Sequence, residues 1–417
     1  MKTNRNYILK LISHLRSNGA LVLLESQMPE HPASTKSFLA ADPVAWIRAE
    51  GDKVTIFEEG KIRELEQNPW QAISGFYNRY EDWMFGYFGY DLKNHLEELE
   101  SSNISRIETP DLFFFVPDLL VEFDRNYTVN VLKGQLPDLG ESQYVTSEIV
   151  LKPDNSIDSE RYTETIQIAQ NDIYEGEYYE INLSHPLEYH FEGNGLDLYE
   201  KMRVLGPVPF GAYMSFEGIE VCSSSPERFL SRVGDKGWSQ PIKGTAPKSG
   251  GVESAKKLAA SEKERAENLM IVDLVRNDLN RIAEKGTVNV SGLFEIQSFE
   301  TVYQMVSTIE CKIPQATDSI ELIKACFPMG SMTGAPKIAA MKGIDKYEEY
   351  KRGIYSGALG YFKPNGDFDL NVVIRTAIIR EDKLVYPVGG AITSDSDPEQ
   401  EWEETLLKAK AITNLFS

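Results

Sequence analysis

Tyr7, Ile8, Leu11, Ile12 and Leu15 recur at the spacing of one helix face, and Ala20 to Ser26 follows as a mostly apolar run of strand length. The chain is therefore predicted to open with a helix and then a buried strand. Two later runs, Trp83 to Tyr90 and Leu112 to Pro117, are aromatic and β-prone, and stripes of this kind predict core strands. From 134 to 158 the periodicity is broken by Gly134, Pro137, Gly140, Pro153, Asn155 and Ser156. The chain divides there into an N-terminal region, 1–145, and a second region, 155–417, that holds nearly all the candidate chemistry. No internal repeat or low-complexity tract interrupts either.

Two segments of the second region are acidic and helical in period. Ser261 to Ile282 reads as a helix with Glu264 and Glu267 at i, i+3 on one face, and with Met270 and Leu274 continuing that stripe into the interior. A second helix starts at Asp397, a suitable N-cap, followed by Pro398 at the first helical position and Gln400 in a capping-box position. On it Glu401, Glu404 and Lys408 share a face, and Trp402, Leu406 and Ala409 lie on a neighbouring one. Glutamate pairs at this spacing are common on solvated helices. Brought together, however, the two pairs would form a pocket of four carboxylates that repel one another unless a hard cation such as Mg²⁺ lies among them.

Composition narrows the partners. A net charge of −21 argues against nucleic acid and anionic membrane, which both require basic surface. With 417 residues and 41% hydrophobic content the chain can bury a large core. Lys10, Ser13, His14, Arg16 and Asn18 interrupt the apolar residues of the N-terminus, so it lacks a secretory h-region. No stretch approaches the roughly 20 apolar residues that cross a bilayer. Cys222, Cys311 and Cys326 are odd in number and widely spaced, which fits a reducing, cytoplasmic setting. With five His, no His-Glu-x-x-His and no paired cysteines, a zinc site has little support.

Several ordered segments resemble one enzyme family. They are Gly176-Glu-Tyr-Tyr-Glu-Ile-Asn-Leu-Ser184, Ser224-Ser-Pro-Glu-Arg-Phe229, Pro241-Ile-Lys-Gly-Thr245, Arg265 to Leu279 and Phe327 to Lys337. Ile374-Arg-Thr376 and Gly389-Gly-Ala-Ile-Thr-Ser-Asp-Ser396, running into Glu401 and Glu404, complete the set. Together they are similar to the chorismate-using synthases over almost all of 160–415. Leu23-Leu-Glu-Ser26 and Gly86 to Leu92 extend the likeness thinly into the N-terminal region.

The resemblance implies an α+β fold of large, mainly antiparallel β-sheets flanked by helices, with the ligand between them. It implies that Glu267 and Glu404 ligate Mg²⁺ directly, with Glu264 and Glu401 close by through water. Tyr355 and Arg375 would contact a carboxylate-bearing part of chorismate, and Gly244, Thr333, Gly389 and Gly390 would offer hydroxyl or backbone N–H contacts. Glu227 looks like the general acid for the departing ring hydroxyl, and must keep its proton near neutral pH. Lys243 looks like a nucleophile for ring carbon 2, and must be neutral to act, so burial and a nearby cation are expected to lower its pKa. Without the family, Ser-Pro-Glu-Arg is a turn with a surface ion pair, Arg375 a strand arginine and Gly389-Gly390 a turn. The plainer alternative for Lys243, less favoured than the nucleophile, is a charge partner for a substrate carboxylate.

Lys243 also separates subtypes. Family members that make 4-amino-4-deoxychorismate read Pro-Ile-Lys-Gly-Thr, whereas anthranilate synthases read Pro-Ile-Ala-Gly-Thr. The resemblance thus implies amination of chorismate for para-aminobenzoate and folate synthesis, by a covalent Lys243 intermediate. None of the three cysteines lies in a glutaminase motif, and the length leaves no room for an attached amidotransferase domain. Ammonia is therefore expected from a separate glutaminase subunit.

Departures from the family keep alternatives open. Gln304 occupies the usual histidine position, Glu180 stands where glutamine is common, and Ala246, Lys248 and Ala391 also differ. Glutamine cannot serve as the base that aromatisation requires, which argues against anthranilate synthase, the nearest rival ahead of isochorismate or salicylate synthase. A regulatory protein of low activity that binds chorismate or tryptophan is the other reading. Leu24, Glu25, Ser26, Pro207 and Phe210 resemble the family's tryptophan-binding elements.

Overall fold

The opening helix forms over Arg5–Leu15, capped by Asn4, whose side chain accepts from Tyr7 N–H, and it buries Ile8, Leu9, Leu11, Ile12 and Leu15. The strand expected after it is Leu21–Glu25. This computed structural model describes residues 1–28, 31, 36–140 and 143–415. Leu21–Glu25 is the hinge of the whole sheet, pairing with Ser37–Glu50 on one edge and Phe210–Phe216 on the other.

Two arms of antiparallel strands leave that hinge. The first runs from Ser37–Glu50 through Leu112–Phe123, Met84–Phe88, Ala358–Phe362, Phe368–Val372, Arg228–Val233 and Lys236–Gln240 to Val302–Lys312, which also pairs with Ile242–Pro247. The second runs from Phe210–Phe216 through Ile219–Ser225, Thr376–Arg380 and Lys383–Ile392 to Glu180–Glu192. Both regions of the chain contribute strands to it. The α+β architecture of antiparallel sheet and flanking helices is the one the sequence implied.

Apolar faces of the two arms meet around Val22, Phe85, Phe113, Phe115, Met214, Phe216 and Val221, with Phe113 stacked on Phe216 at 4.6 Å between ring centroids. The aromatic runs are thus core, as predicted. The strand that begins at Leu112 continues beyond Pro117 to Phe123, because Pro117 faces Pro43 where the register shifts, and no ladder N–H is required of either proline. The stretch 134–158 also contains a short strand, Val150–Pro153, paired with Tyr189 to Glu192. At the Gly86–Gly360 pair the backbones approach so closely that an added Cβ would lie 2.0 Å from the Phe113 or Asp369 carbonyl oxygen, respectively.

A buried polar knot ties the loop 330–333 to the second arm. Arg352 donates to both carboxylate oxygens of Glu348, at 2.9 and 2.6 Å, to the Met332 carbonyl at 2.7 Å and to the Asn182 carbonyl at 2.8 Å. Glu348 in turn accepts from the backbone N–H and hydroxyl of Ser184. Removing one member leaves the other charge buried and uncompensated. Glu348→Ala is expected to destabilise the fold by about 3–5 kcal/mol, measured by denaturant unfolding; a change under about 1 kcal/mol, the size of a surface pair, would show the knot to be dispensable.

Candidate active site

The far ends of the two arms meet at Lys243. It lies on Ile242–Pro247, in a register break between Ile242 and Thr245, and Gly244 beside it adopts φ 85°. A Cβ on Gly244 would lie 2.7 Å from Glu264 Oε2, so glycine lets this strand press against the first acidic helix. The ammonium of Lys243, 9% exposed, donates to Oε1 of Glu180 at 2.7 Å, and Glu180 is 1% exposed at the start of Glu180–Glu192.

Here the structure corrects the expectation that burial by itself would favour a neutral Lys243. Burial does work against the charge on Lys243, but Glu180, Glu267 and Glu227 together outweigh it, and its pKa stands above the ordinary lysine value. A contact carboxylate defeats desolvation. Glu227 behaves as expected: burial raises its pKa to about 7, against the Ser331 hydrogen bond and the nearby Lys243 and Arg375, which pull it down. Ser331 Oγ donates to Glu227 Oε1 at 2.7 Å.

The first acidic helix spans Glu262–Asn280 with Ser261 as N-cap, and the second spans Pro398–Thr413 with Asp397 accepting from the N–H groups of Glu399 and Gln400. The stripe continuing Glu264 and Glu267 is shifted from the expected one. Asn268, Ile271, Val272, Val275, Asp278 and Leu279 are the buried residues, whereas Met270 and Leu274 are half-buried at its margin. On the second helix Thr405, Ala409 and Ile412 are buried with Glu401, and Trp402 stacks on His185, while Leu406 is exposed.

The two glutamate pairs do come together. Lys263 bridges them, 3.9 Å from Glu267 and 3.8 Å from Glu401, and Lys408 pairs with Glu404 at 2.7 Å. Burial raises the pKa of Glu267 to about 7, and burial and then Glu404 raise those of Glu264 and Glu401. Lys408 holds that of Glu404 below the usual carboxylate value. Among the described residues no three ligating side chains converge on one point. The donors are all carboxylate oxygens whose charge is only partly offset by two lysines, a chemistry suited to a hard divalent cation.

The remaining predicted residues are buried, apart from the half-buried Arg375. Gly389 faces Ser184 across the sheet, where an added Cβ would lie 2.3 Å from the Leu183 carbonyl oxygen, and its own carbonyl accepts from Lys408 at 2.7 Å. A Cβ on Gly390 would meet Glu401 at 3.2 Å. Thr333 is fully buried and bonds back to the Met329 and Gly330 carbonyls. The Tyr355 hydroxyl is held un-ionised by burial, near Arg352. Arg375 takes φ 51°, and burial lowers its pKa despite Tyr386 and Glu227 nearby. Gln304 lies opposite Thr245, 2% exposed, with its Oε1 buried and without a hydrogen-bond partner.

Sequence reasoning did not single out Ser331, Lys263 or the Glu348–Arg352 pair. Ser331 lies inside the segment Phe327 to Lys337, and Lys263 directly before Glu264, but nothing in their spacing shows what each touches.

The second predicted cluster lies elsewhere, near the hinge. Leu24 pairs with Ala212 and Glu25 with Gly211, next to Phe210, and Gln27 N–H bonds the Val208 carbonyl one residue after Pro207. Glu25 is already engaged by Arg5 at 2.8 Å, Arg203 at 3.1 Å and the Tyr199 hydroxyl at 2.9 Å. Ser26 donates to the Lys36 carbonyl, and Phe210 is covered by the Arg228 guanidinium at 4.9 Å.

The family profile described as chorismate binding enzyme matches residues 20–414. The chain belongs to that family. Relatives in it include an aminodeoxychorismate synthase of Streptomyces pristinaespiralis, 39% identical, covering 78% of this chain and 49% of the relative. Aminodeoxychorismate synthase component 1 of Escherichia coli (strain K12) is 31% identical, covering 94% of this chain and 92% of that protein. Among solved structures, anthranilate synthase component I from Streptococcus pneumoniae TIGR4 superposes with a TM-score of 0.80 at 28% identity, over 92% of this chain and 93% of that one. The chain thus spans about half the length of the Streptomyces relative. Among the described residues no helix is long and apolar enough to cross a membrane.

Proposed function

We propose that this chorismate-binding enzyme aminates chorismate at ring carbon 4, yielding 4-amino-4-deoxychorismate for para-aminobenzoate and folate synthesis, with ammonia from a separate glutaminase subunit. The observation that carries this reading is Lys243, buried within the electrostatic reach of Glu227 and held by Glu180 at 2.7 Å, where it can attack a bound ring. The names of the Streptomyces and E. coli relatives support it.

In the proposed reaction the lone pair of Lys243 Nζ forms a bond to ring carbon 2, and the ring double bonds shift to expel the carbon 4 hydroxyl. Glu227 gives that hydroxyl its proton, so water departs. Ammonia then attacks carbon 4, the double bonds return, and the pair in the carbon 2–nitrogen bond goes back to Lys243. Arg375 and Tyr355 would take a carboxylate, and Gly244, Thr333, Gly389 and Gly390 would line the ring. Gln304 cannot remove a proton from carbon 2, which favours retention of the enolpyruvyl group over aromatisation. A product assay with chorismate, ammonium and Mg²⁺ separates fluorescent anthranilate from non-aromatic aminodeoxychorismate; anthranilate as the main product would overturn the reading, as would no turnover, which would favour a regulatory role.

Glu267 and Glu404 would hold Mg²⁺ directly, with Glu264 and Glu401 alongside through water. The cation would anchor a substrate carboxylate and offset its charge. Because the Glu267 pKa is about 7, Mg²⁺ binding at neutral pH should release protons and weaken as the pH falls below 7. At 100 times its Kd the ion should add about 2.7 kcal/mol to stability. Calorimetry in buffers of different ionisation heat, together with thermal melts, reads both effects; Glu267→Gln with Glu404→Gln should abolish them, and a wild type indifferent to Mg²⁺ would refute the assignment.

A further inference from the structure

Glu180 has one oxygen in use and one idle. Oε1 accepts from Lys243 Nζ, while Oε2 is buried and has no hydrogen-bond partner. The strand that carries it is fixed on both sides, by pairing of Ile181 with Ile392 and of Glu180 with Ala335. A buried carboxylate is ordinarily satisfied by several donors. Here Lys243 is the one donor among the described residues, and nothing else holds the negative charge in place.

That imbalance has a chemical consequence. The pair is held charged while some water still reaches it, but as that water is displaced an ion pair with one hydrogen bond between its members loses ground to the neutral acid–amine pair, one proton transfer along that bond away. A substrate ring seated against Lys243 would displace that water. We propose that Glu180 is a catalytic base, accepting the proton of Lys243 Nζ so that the lysine attacks as a free amine.

The step balances. One proton passes from Nζ to Glu180 Oε1, the freed lone pair makes the bond to ring carbon 2, and Glu227 loses its own proton to the departing hydroxyl. When ammonia enters at carbon 4 the lysine leaves as neutral amine and recovers its proton from Glu180. The new ammonium on carbon 4 returns a proton to Glu227. Each carboxyl ends as it began. The charged groups facing Lys243 are Glu180 from its strand, Glu227 from the turn after Ser225, Glu264 and Glu267 from the first acidic helix and Glu404 from the second, and Glu180 is the one in contact.

This inference rests on the amination reading, and its test separates the two. Glu180→Gln keeps a carbonyl oxygen for Nζ but cannot take a proton. With saturating chorismate, ammonium and Mg²⁺, its turnover should fall roughly 10²-fold at pH 7, with the KM for chorismate changed less than about twofold. The pH profile discriminates a base from a mere support. In the wild type the proton stays within the pair, so activity should fall as the pH rises past about 7, where Glu227 loses its proton. In the glutamine variant solvent must deprotonate Lys243, and this alkaline fall should vanish. Glu180→Asp, which retains a carboxylate, should keep it, and it serves as the test if the glutamine variant does not fold. A wild type that makes no aminodeoxychorismate defeats the amination reading and this inference with it. A wild type that makes it while Glu180→Gln retains full turnover and the same pH profile defeats this inference alone.

Discussion

Lys243→Ala is expected to lower 4-amino-4-deoxychorismate formation on the order of 10³-fold or more, the scale of losing a covalent nucleophile. Mass spectrometry of products from chorismate, ammonium and Mg²⁺ measures this directly. With ammonium withheld, wild-type protein should gain the mass of chorismate less water on the peptide holding Lys243. Stability has to be separated from chemistry, because the substitution strands the Glu180 carboxylate, a break that costs about 3–5 kcal/mol in buried pairs. Lys243→Ala combined with Glu180→Gln should regain much of that stability and none of the activity. Undiminished product from the alanine variant would rule out the covalent route.

Glu227→Gln should reduce turnover by about 10²–10⁴, the usual worth of a positioned proton donor. The sign of the pH effect follows from its pKa of about 7. The useful form is the protonated one, so with Mg²⁺ kept saturating wild-type activity is full below 7 and declines above it. Burial is the main cause of that pKa, and a polar change that opens the pocket around Ser331 should move the decline to lower pH. Steady-state rates between pH 6 and 9 measure the limb; a glutamine variant with the wild-type rate, or a decline unchanged by the substitution, would remove Glu227 from the role.

Much of the site was legible because its parts are local. Asp397, Pro398 and the Glu401–Glu404 spacing define the start and one face of a helix through rules that act over a few residues, and the helix forms where they place it. Ser261 does the same for the first acidic helix. The buried stripe of that helix differs from the predicted one because Met270 and Leu274 continue the glutamate face geometrically, yet the interior presses on the side carrying Ile271, Val275 and Leu279. Which face is buried depends on the strands beneath, Ile242–Pro247 and Val302–Lys312, and no helical period contains that information.

The order of the chain by itself determined which side chains could act: a lysine after Pro-Ile, a glutamate after Ser-Pro, two glutamate pairs at helical spacing, and glutamine where a base would be needed for aromatisation. Tertiary structure alone decided their state. Glu180 and Lys243 are 63 positions apart and touch because the two arms of one sheet curl until their ends meet. Charge interactions depend on distance in space and on the water excluded between groups, so a lysine that burial would push toward the neutral form is instead held charged by the carboxylates around it.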